Sequence, residues 1–161
     1  MNRLHTIISA AILVPVLSLF CSCESENALT VINQEAQIES FINNKYPDNE
    51  VIHNGGSNRI VLVAGDSLTR VAYGDSVHLE IDGFIFNSGP GVQFLSDERT
   101  LCVDSKNLVE GLEKGLEGAA LGEESYIVFS AEYGYYKASV GVVPPMSALI
   151  YRTLIREIKK N

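Results

Sequence analysis

Residues 107–129 read NLVEGLEKGLEGAALGEESYIVF and predict a short helix followed by a strand. The apolar residues Leu108, Leu112 and Leu116 recur at the spacing of one helical face. Gly111 and Gly115 lie within the same stretch and would weaken the helix if it stood alone. Because glycine has no side chain, however, these positions would let the helix lie close against a sheet. The stretch therefore predicts a helix that depends on its packing partner.

Strand patterns occur on both sides of this helix. Residues 59–63 form a short apolar run, and apolar and polar residues alternate over 76–81. The sequence NSGPG at 87–91 predicts a turn. Residues 149–158 are apolar on both alternations, so the sequence leaves their register open. Several strands with one late helix indicate an α+β fold with an antiparallel sheet.

The first 22 residues have the pattern of a lipoprotein signal peptide. A basic start and an apolar run are followed by the sequence CSC at 21–23. The apolar run is too short to span a bilayer comfortably. We predict Cys23 as the lipidated residue because the small Ser22 precedes it, with Cys21 as the alternative. An uncleaved anchor helix and a plain secretory signal also remain open.

Residues 23–58 are predicted to hold a tether and an amphipathic helix. The polar and acidic stretch 24–32 suggests the tether, and apolar spacing over 32–46 suggests the helix. Pro47 is expected to end that helix. The loop-like sequence HNGGSN at 53–58 then marks the boundary with a domain over 59–161.

Charge and side-chain chemistry exclude several functions. The formal net charge of −8 disfavours a nucleic-acid partner, which would require clustered Lys and Arg. Once the signal cysteine and the lipidated cysteine are set aside, Cys102 is left without a disulfide partner and is expected to be a small buried residue. His53 and His78 lack bracketing carboxylates, so we predict no metal site.

Residues 59–70, RIVLVAGDSLTR, resemble the first motif of the GDSL esterases and lipases, in which the serine is the nucleophile. A serine hydrolase also needs a base to accept the hydroxyl proton, and no histidine follows His78. A second Gly-Asp-Ser at 74–76 favours a turn over catalysis. We therefore predict Ser67 to be a turn residue, and an esterase that uses Ser67 remains a third hypothesis.

A second resemblance covers more of the chain. After the glycine-rich helix come Tyr133-x-Tyr135, the sequence GVVPP at 141–145 and Leu149-x-Tyr151, while YGDSVHLEIDG at 73–83 lies further upstream. From residue 59 onward this order resembles the FKBP-type peptidyl-prolyl isomerases. The resemblance implies an antiparallel sheet of five or six strands wrapped around one short α-helix, here with an N-terminal helical extension. It also implies cis–trans isomerisation of X–Pro bonds in exported proteins, without a cofactor.

The same resemblance implies the site residues. Tyr135 would hydrogen-bond a substrate carbonyl, the backbone N–H of Val109 would hold the substrate, and Phe94 would add an aromatic wall. These three are the predicted catalytic residues. The predicted substrate-binding residues are Ile81, Leu95, Leu108, Leu112, Val142, Val143 and Tyr151.

Three of these positions depart from the family pattern. Leu95 stands in place of a pocket aspartate, although Asp97 follows two residues later. Leu112 replaces the aromatic pocket floor, and Ile81 replaces a tyrosine. The pocket would thus be poorer in aromatic surface. Weak activity, or a non-catalytic prolyl-peptide-binding or chaperone module, is the alternative hypothesis.

The predicted partners are proline-containing polypeptides and, through the N-terminal lipid, a membrane. A homodimer formed through the N-terminal helix is a further hypothesis. The predicted location is the bacterial cell envelope, on its periplasmic or cell-surface face.

Overall fold

The fold is described by a computed structural model that covers residues 21–104 and 108–161, with the side chains of 21–23 excepted. Six strands form one antiparallel sheet in the order β1-β2-β5-β6-β3-β4. The elements in chain order are α1 (Cys21–Lys45), β1 (Val51–Asn54), β2 (Ser57–Val63), β3 (Ser76–Phe86), β4 (Pro90–Cys102), α2 (Glu110–Leu116), β5 (Glu124–Phe129) and β6 (Leu149–Lys159). The prediction of an α+β fold with an N-terminal helical extension is confirmed.

Strand alternation gives this sheet two apolar faces. One face packs against α2 and the other packs against α1, so both helices are held by burial of apolar surface. The face toward α2 is built chiefly from Val77, Leu79, Ile81, Ile127, Phe129, Leu149, Tyr151 and Ile155. The face toward α1 is built from Ile60, Phe86, Val128 and Ile150.

Glycines set the distance between α2 and the sheet. A methyl group added at Gly111 would lie 2.2 Å from the ring of Phe129, and one added at Gly115 would lie 2.2 Å from a methyl carbon of Ile127. Side chains therefore cannot be accommodated at these two helical positions. The expectation that glycines let the helix lie close on the sheet is met by the structure.

A buried ion pair fixes the C-terminal end of α2. Arg59 Nε lies 3.1 Å from Glu123 Oε1, and both side chains are almost fully buried. The guanidinium also donates to the backbone oxygens of Gly115 and Glu117, at 2.8 Å and 2.6 Å. Burial lowers the pKa of Arg59 from its usual value, and the carboxylate of Glu123 opposes that shift. Arg59 thus links β2 to the unpaired carbonyls at the helix end.

The N-terminal helix is longer than the sequence pattern suggested. Within the described residues it covers Cys21–Lys45, so the stretch 24–32, expected to be a tether, is helical. Its end at Lys45, two residues before Pro47, agrees with the prediction. Its buried residues Ile38, Phe41 and Ile42 pack on the chain's own sheet. Residues 1–20 of the predicted signal peptide (1–22) and the side chains of both candidate lipidation cysteines lie outside the described residues.

Two further predictions about local structure were wrong. The stretch 53–58 is not a boundary loop: β1 and β2 form a hairpin that turns at Gly55 and Gly56, whose φ angles are +52° and +87°. The sheet therefore begins at Val51, and a boundary at residue 59 would cut through β2. Cys102, expected to be buried, is exposed at the end of the edge strand β4.

The contact between α2 and the sheet makes a prediction about stability. In an exposed helix, Gly→Ala stabilises by about 1 kcal/mol. Here we expect Gly111→Ala to lower the free energy of unfolding by about 1–3 kcal/mol, because the methyl group overpacks against Phe129. Urea denaturation measures the change. Glu113→Ala in the same helix is the control and should change stability little; a more stable Gly111→Ala variant would contradict the packing argument.

Candidate functional site

A small apolar cleft lies between the N-terminal end of α2 and strands β3, β4 and β6. Its volume is about 120 Å³, which suits one small ring or side chain. That size is well below the several hundred Å³ of a typical pocket for a drug-sized ligand. The residues that line it are Ile81, Leu95, Arg99, Leu101, Leu108, Val109, Leu112, Tyr135 and Tyr151.

Seven of the ten predicted site residues line this cleft. Two of the three predicted catalytic residues, Val109 and Tyr135, are among them. Val109 is the N-cap residue of α2, where backbone N–H groups have no partner within the helix. The five others are Ile81, Leu95, Leu108, Leu112 and Tyr151.

Phe94 supports the cleft from behind and is not one of its lining residues. Its ring meets Tyr151 edge-to-face with the centroids 5.6 Å apart, and Phe129 stacks on Tyr151 at 5.9 Å. A side chain at Gly83 would collide with both Phe94 and Tyr151. The three rings therefore form one rigid aromatic base, for which the glycine leaves room.

Two tyrosine hydroxyls meet at the cleft. Burial raises the pKa of Tyr151 far above its usual value, and a hydrogen bond to Tyr135 raises it further. Tyr151 therefore stays neutral at physiological pH. Tyr135 is only half-buried and lines the cleft, so a ligand that enters the cleft would meet its side chain.

The family resemblance predicted Val142 and Val143 as substrate-binding residues, but neither lines the cleft in the structure. Val143 is fully buried in the core, whereas Val142 is 64% exposed. The cause is a tight turn: the backbones of Val140 and Val143 exchange hydrogen bonds of 3.1 and 2.9 Å, and Gly141 has a φ of +58°. Neighbouring side chains in this turn consequently point in different directions.

Two lining residues, Arg99 and Leu101, were missed by the sequence analysis because it did not identify β4 as a strand. Residues 95, 97, 99 and 101 alternate onto one side of β4.

The carboxylate of Asp97 accepts a 2.7 Å hydrogen bond from Arg99 Nε and one of 2.8 Å from the backbone N–H of Glu98. Asp97, the nearest acid to the position of the family's pocket aspartate, is thus paired with Arg99, and Leu95 keeps that position apolar.

Gln34 of α1 connects the N-terminal helix to the loops beside the cleft. Its side-chain amide donates to the backbone oxygen of Met146 at 2.7 Å, and its carbonyl oxygen accepts from the N–H of Ala131 at 2.9 Å. Met146 N–H in turn donates to Tyr136 at 2.6 Å. The loop that carries Tyr135 is therefore fastened to α1 on the opposite side of the sheet from α2.

Ser67 lies in an exposed bend after β2, and Asp66 Oδ1 accepts the N–H of Leu68 at 3.0 Å within this turn. Both described histidines have other contacts: His53 is 2.6 Å from Asn58 and His78 is 3.0 Å from Glu98. Nothing in the described chain activates Ser67. Within the same residues, no cluster of three or more His, Cys, Asp or Glu could hold a metal.

Comparison with known proteins agrees with this geometry. Residues 68–155 match the family described as FKBP-type peptidyl-prolyl cis-trans isomerase. The fold is similar to the three FKBP domains of wheat FKBP73 (TM-score 0.62, 22% identity, covering 70% of this chain and 50% of that one). It is also similar to FkpA from Escherichia coli (TM-score 0.63, 19% identity, covering 89% of this chain and 67% of that one). The chain thus spans half of the wheat structure. No curated protein matches it significantly.

The Gln34 contacts predict local loosening when they are removed. In Gln34→Leu, the N–H of Ala131 and the backbone oxygen of Met146 lose their hydrogen-bond partner. This loss should lower the free energy of unfolding by about 1–3 kcal/mol. We expect amide exchange over 131–136 to be faster in Gln34→Leu than in the unaltered protein, while exchange in the central strands changes little. Hydrogen exchange measures both. Gln37→Leu, an exposed position in the same helix, is the control. Unchanged protection of 131–136 in Gln34→Leu would contradict the argument.

Proposed function

Because the chain belongs to the FKBP-type peptidyl-prolyl cis-trans isomerase family, we propose that it isomerises X–Pro bonds in polypeptides. The observation that carries the proposal is the apolar cleft, which is lined by Tyr135, by the buried Tyr151 and by Val109, the N-cap residue of α2. Its small volume suits a proline ring.

The chemistry needs no reactive side chain. Rotation about an X–Pro bond has a barrier of about 20 kcal/mol because the planar amide loses its resonance when it twists. A site lowers this barrier if it binds the twisted amide more tightly than the planar one. Removing the bond from water also weakens the charge-separated planar form, and an apolar cleft supplies that environment.

Each lining group has a role in this proposal. The proline ring would pack against Tyr151 and Leu112 on the cleft floor. The hydroxyl of Tyr135 would donate to a substrate carbonyl, and the N–H of Val109 would hold the chain in register. Arg99, neutralised by Asp97 at the rim, would contact the polypeptide outside the cleft.

A non-catalytic prolyl-peptide-binding or chaperone module is the second candidate. The observation that favours it is the apolar character of Leu95 and Leu112, which leaves the cleft without an aspartate or an aromatic ring on α2. Fewer polar groups at the twisted amide would reduce the preference for the transition state. The cleft would then still bind prolyl peptides but would isomerise them slowly.

We also propose that the protein is a lipoprotein of the bacterial envelope, acylated at Cys23 and acting on exported proteins. The described part of the chain contains no helix long and apolar enough to cross a membrane. After cleavage before Cys23, the eight residues of α1 that precede the buried Val31 would separate the lipid from the domain by about 12 Å, at 1.5 Å per residue. A homodimer through α1 would use Leu29 and Ile32, each 59% exposed, because the residues around Phe41 are covered by the sheet.

A protease-coupled prolyl-peptide assay tests the activity. Tyr135→Phe should lower kcat/KM about fivefold, the value of one neutral hydrogen bond, when it is assayed at a temperature at which the variant is fully folded. Ser67→Ala is the control and should be fully active. Measurable peptide binding without acceleration by the unaltered protein would establish the binding module instead. Hydrolysis of p-nitrophenyl esters that is abolished by Ser67→Ala would revive the esterase hypothesis.

The lipid anchor is tested in cells. Cys23→Ala should release the protein from the membrane fraction and abolish palmitate labelling. Persistent labelling in Cys23→Ala that is lost in Cys21→Ala would move the acylation site to Cys21. Labelling of neither residue in the unaltered protein would contradict the lipoprotein proposal.

A further inference from the structure

A second cavity, larger than the prolyl cleft, lies between α1 and the β1–β2 hairpin. Its volume is about 440 Å³, within the usual range for a pocket that binds a small molecule. We call it the α1 groove. It lies on the face of the sheet opposite α2, and its lining shares no residue with that of the prolyl cleft.

An unpartnered hydroxyl lies at the base of this groove. Ser130 is 1% exposed, and its Oγ has no hydrogen-bond partner within the described chain. Val128 and Tyr126, two and four residues earlier in the alternation, pack on the α1 face, so Ser130 presents its side chain to the same side. A buried hydroxyl without a partner is costly, and a bound polar group would remove that cost.

Two carboxylates lie at the mouth of the groove. Glu35 and Glu39 are one helical turn apart on α1, and both are exposed lining residues. The ion pairs of the described residues involve other acids, and none includes these two. The net charge of −8 further favours the approach of a cation.

One part of the groove wall is apolar and aromatic and consists of Ile38, Ile42, Val51 and Tyr46. The rest of the lining carries polar side chains, those of Asn43, Asn49, His53 and Asn58. The ring of Tyr46 meets Tyr126 edge-to-face at 6.1 Å and is thereby held in place. Aliphatic carbons with an aromatic face suit the stem of an alkyl cation, and an aromatic face also attracts the charged end.

We propose that the α1 groove binds an alkyl ammonium group: a cation at the end of an apolar chain of several carbons. The charged group would lie between Glu35 and Glu39 or over Tyr46, and a polar group at the other end would reach Ser130. The same chemistry is found in a free diamine and in a lysine side chain of a polypeptide.

Titration of the 15N-labelled protein followed by NMR tests the proposal. The probes are 1,5-diaminopentane for a free amine and N-acetyl-lysine amide for a lysine side chain, with 1-pentanol as the uncharged control. We expect saturable shifts at residues 35, 39, 46 and 130 with at least one cation and none with pentanol. Saturation by the diamine alone identifies a free amine, and saturation by the lysine amide identifies a polypeptide side chain.

Variants separate this site from general attraction to an acidic protein. Glu35→Gln/Glu39→Gln should weaken binding about tenfold, while Glu26→Gln/Glu157→Gln, which removes the same charge elsewhere, should not. Ser130→Ala should weaken diamine binding about fivefold without lowering thermal stability, because the lost hydroxyl had no partner. Equal binding of pentanol, equal weakening in both double variants, or no saturable shift with either cation would overturn the proposal.

Discussion

The close approach of α2 to the sheet is the constraint on which the rest of the structure depends. Gly111 and Gly115 allow the helix backbone to rest on Phe129 and Ile127, where any side chain would collide. This contact places Val109 and Leu112 at the cleft, above the ring of Tyr151 that Phe129 supports. The floor and one wall of the candidate site thus depend on glycine at positions 111 and 115.

The second face of the sheet extends this arrangement to the N-terminal helix. Burial of Ile38, Phe41 and Ile42 holds α1 against the strands, and Gln34 then reaches the loops beside the cleft. Arg59 holds the C-terminal end of α2 in a similar way. Its guanidinium donates to the carbonyls at the helix end, and the carboxylate of Glu123 balances its buried charge. Both sides of the sheet therefore contribute to the position of the site.

The sequence predicted what depends on local pattern and missed what depends on pairing. The spacing of Leu108, Leu112 and Leu116 identified α2, and Pro47 marked the end of α1. Strand β4 is an exposed edge strand whose apolar pattern is interrupted by the charged run at 97–99, so the sequence analysis overlooked it. Arg99 and Leu101 were missed for the same reason. Tyr135 and Tyr151 were identified by family resemblance alone, since no periodicity brings residues of a loop and a strand together. Val142 and Val143 were misplaced because a tight turn decides their directions.

The most direct test of the account is an NMR exchange experiment on a short proline-containing peptide with the protein at catalytic concentration. The account predicts exchange cross-peaks between the cis and trans forms of the peptide, absent without protein. It also predicts transferred contacts from the proline ring to the rings of Tyr135 and Tyr151. Exchange without those contacts, or contacts without exchange, would contradict the claim that this cleft isomerises prolyl bonds.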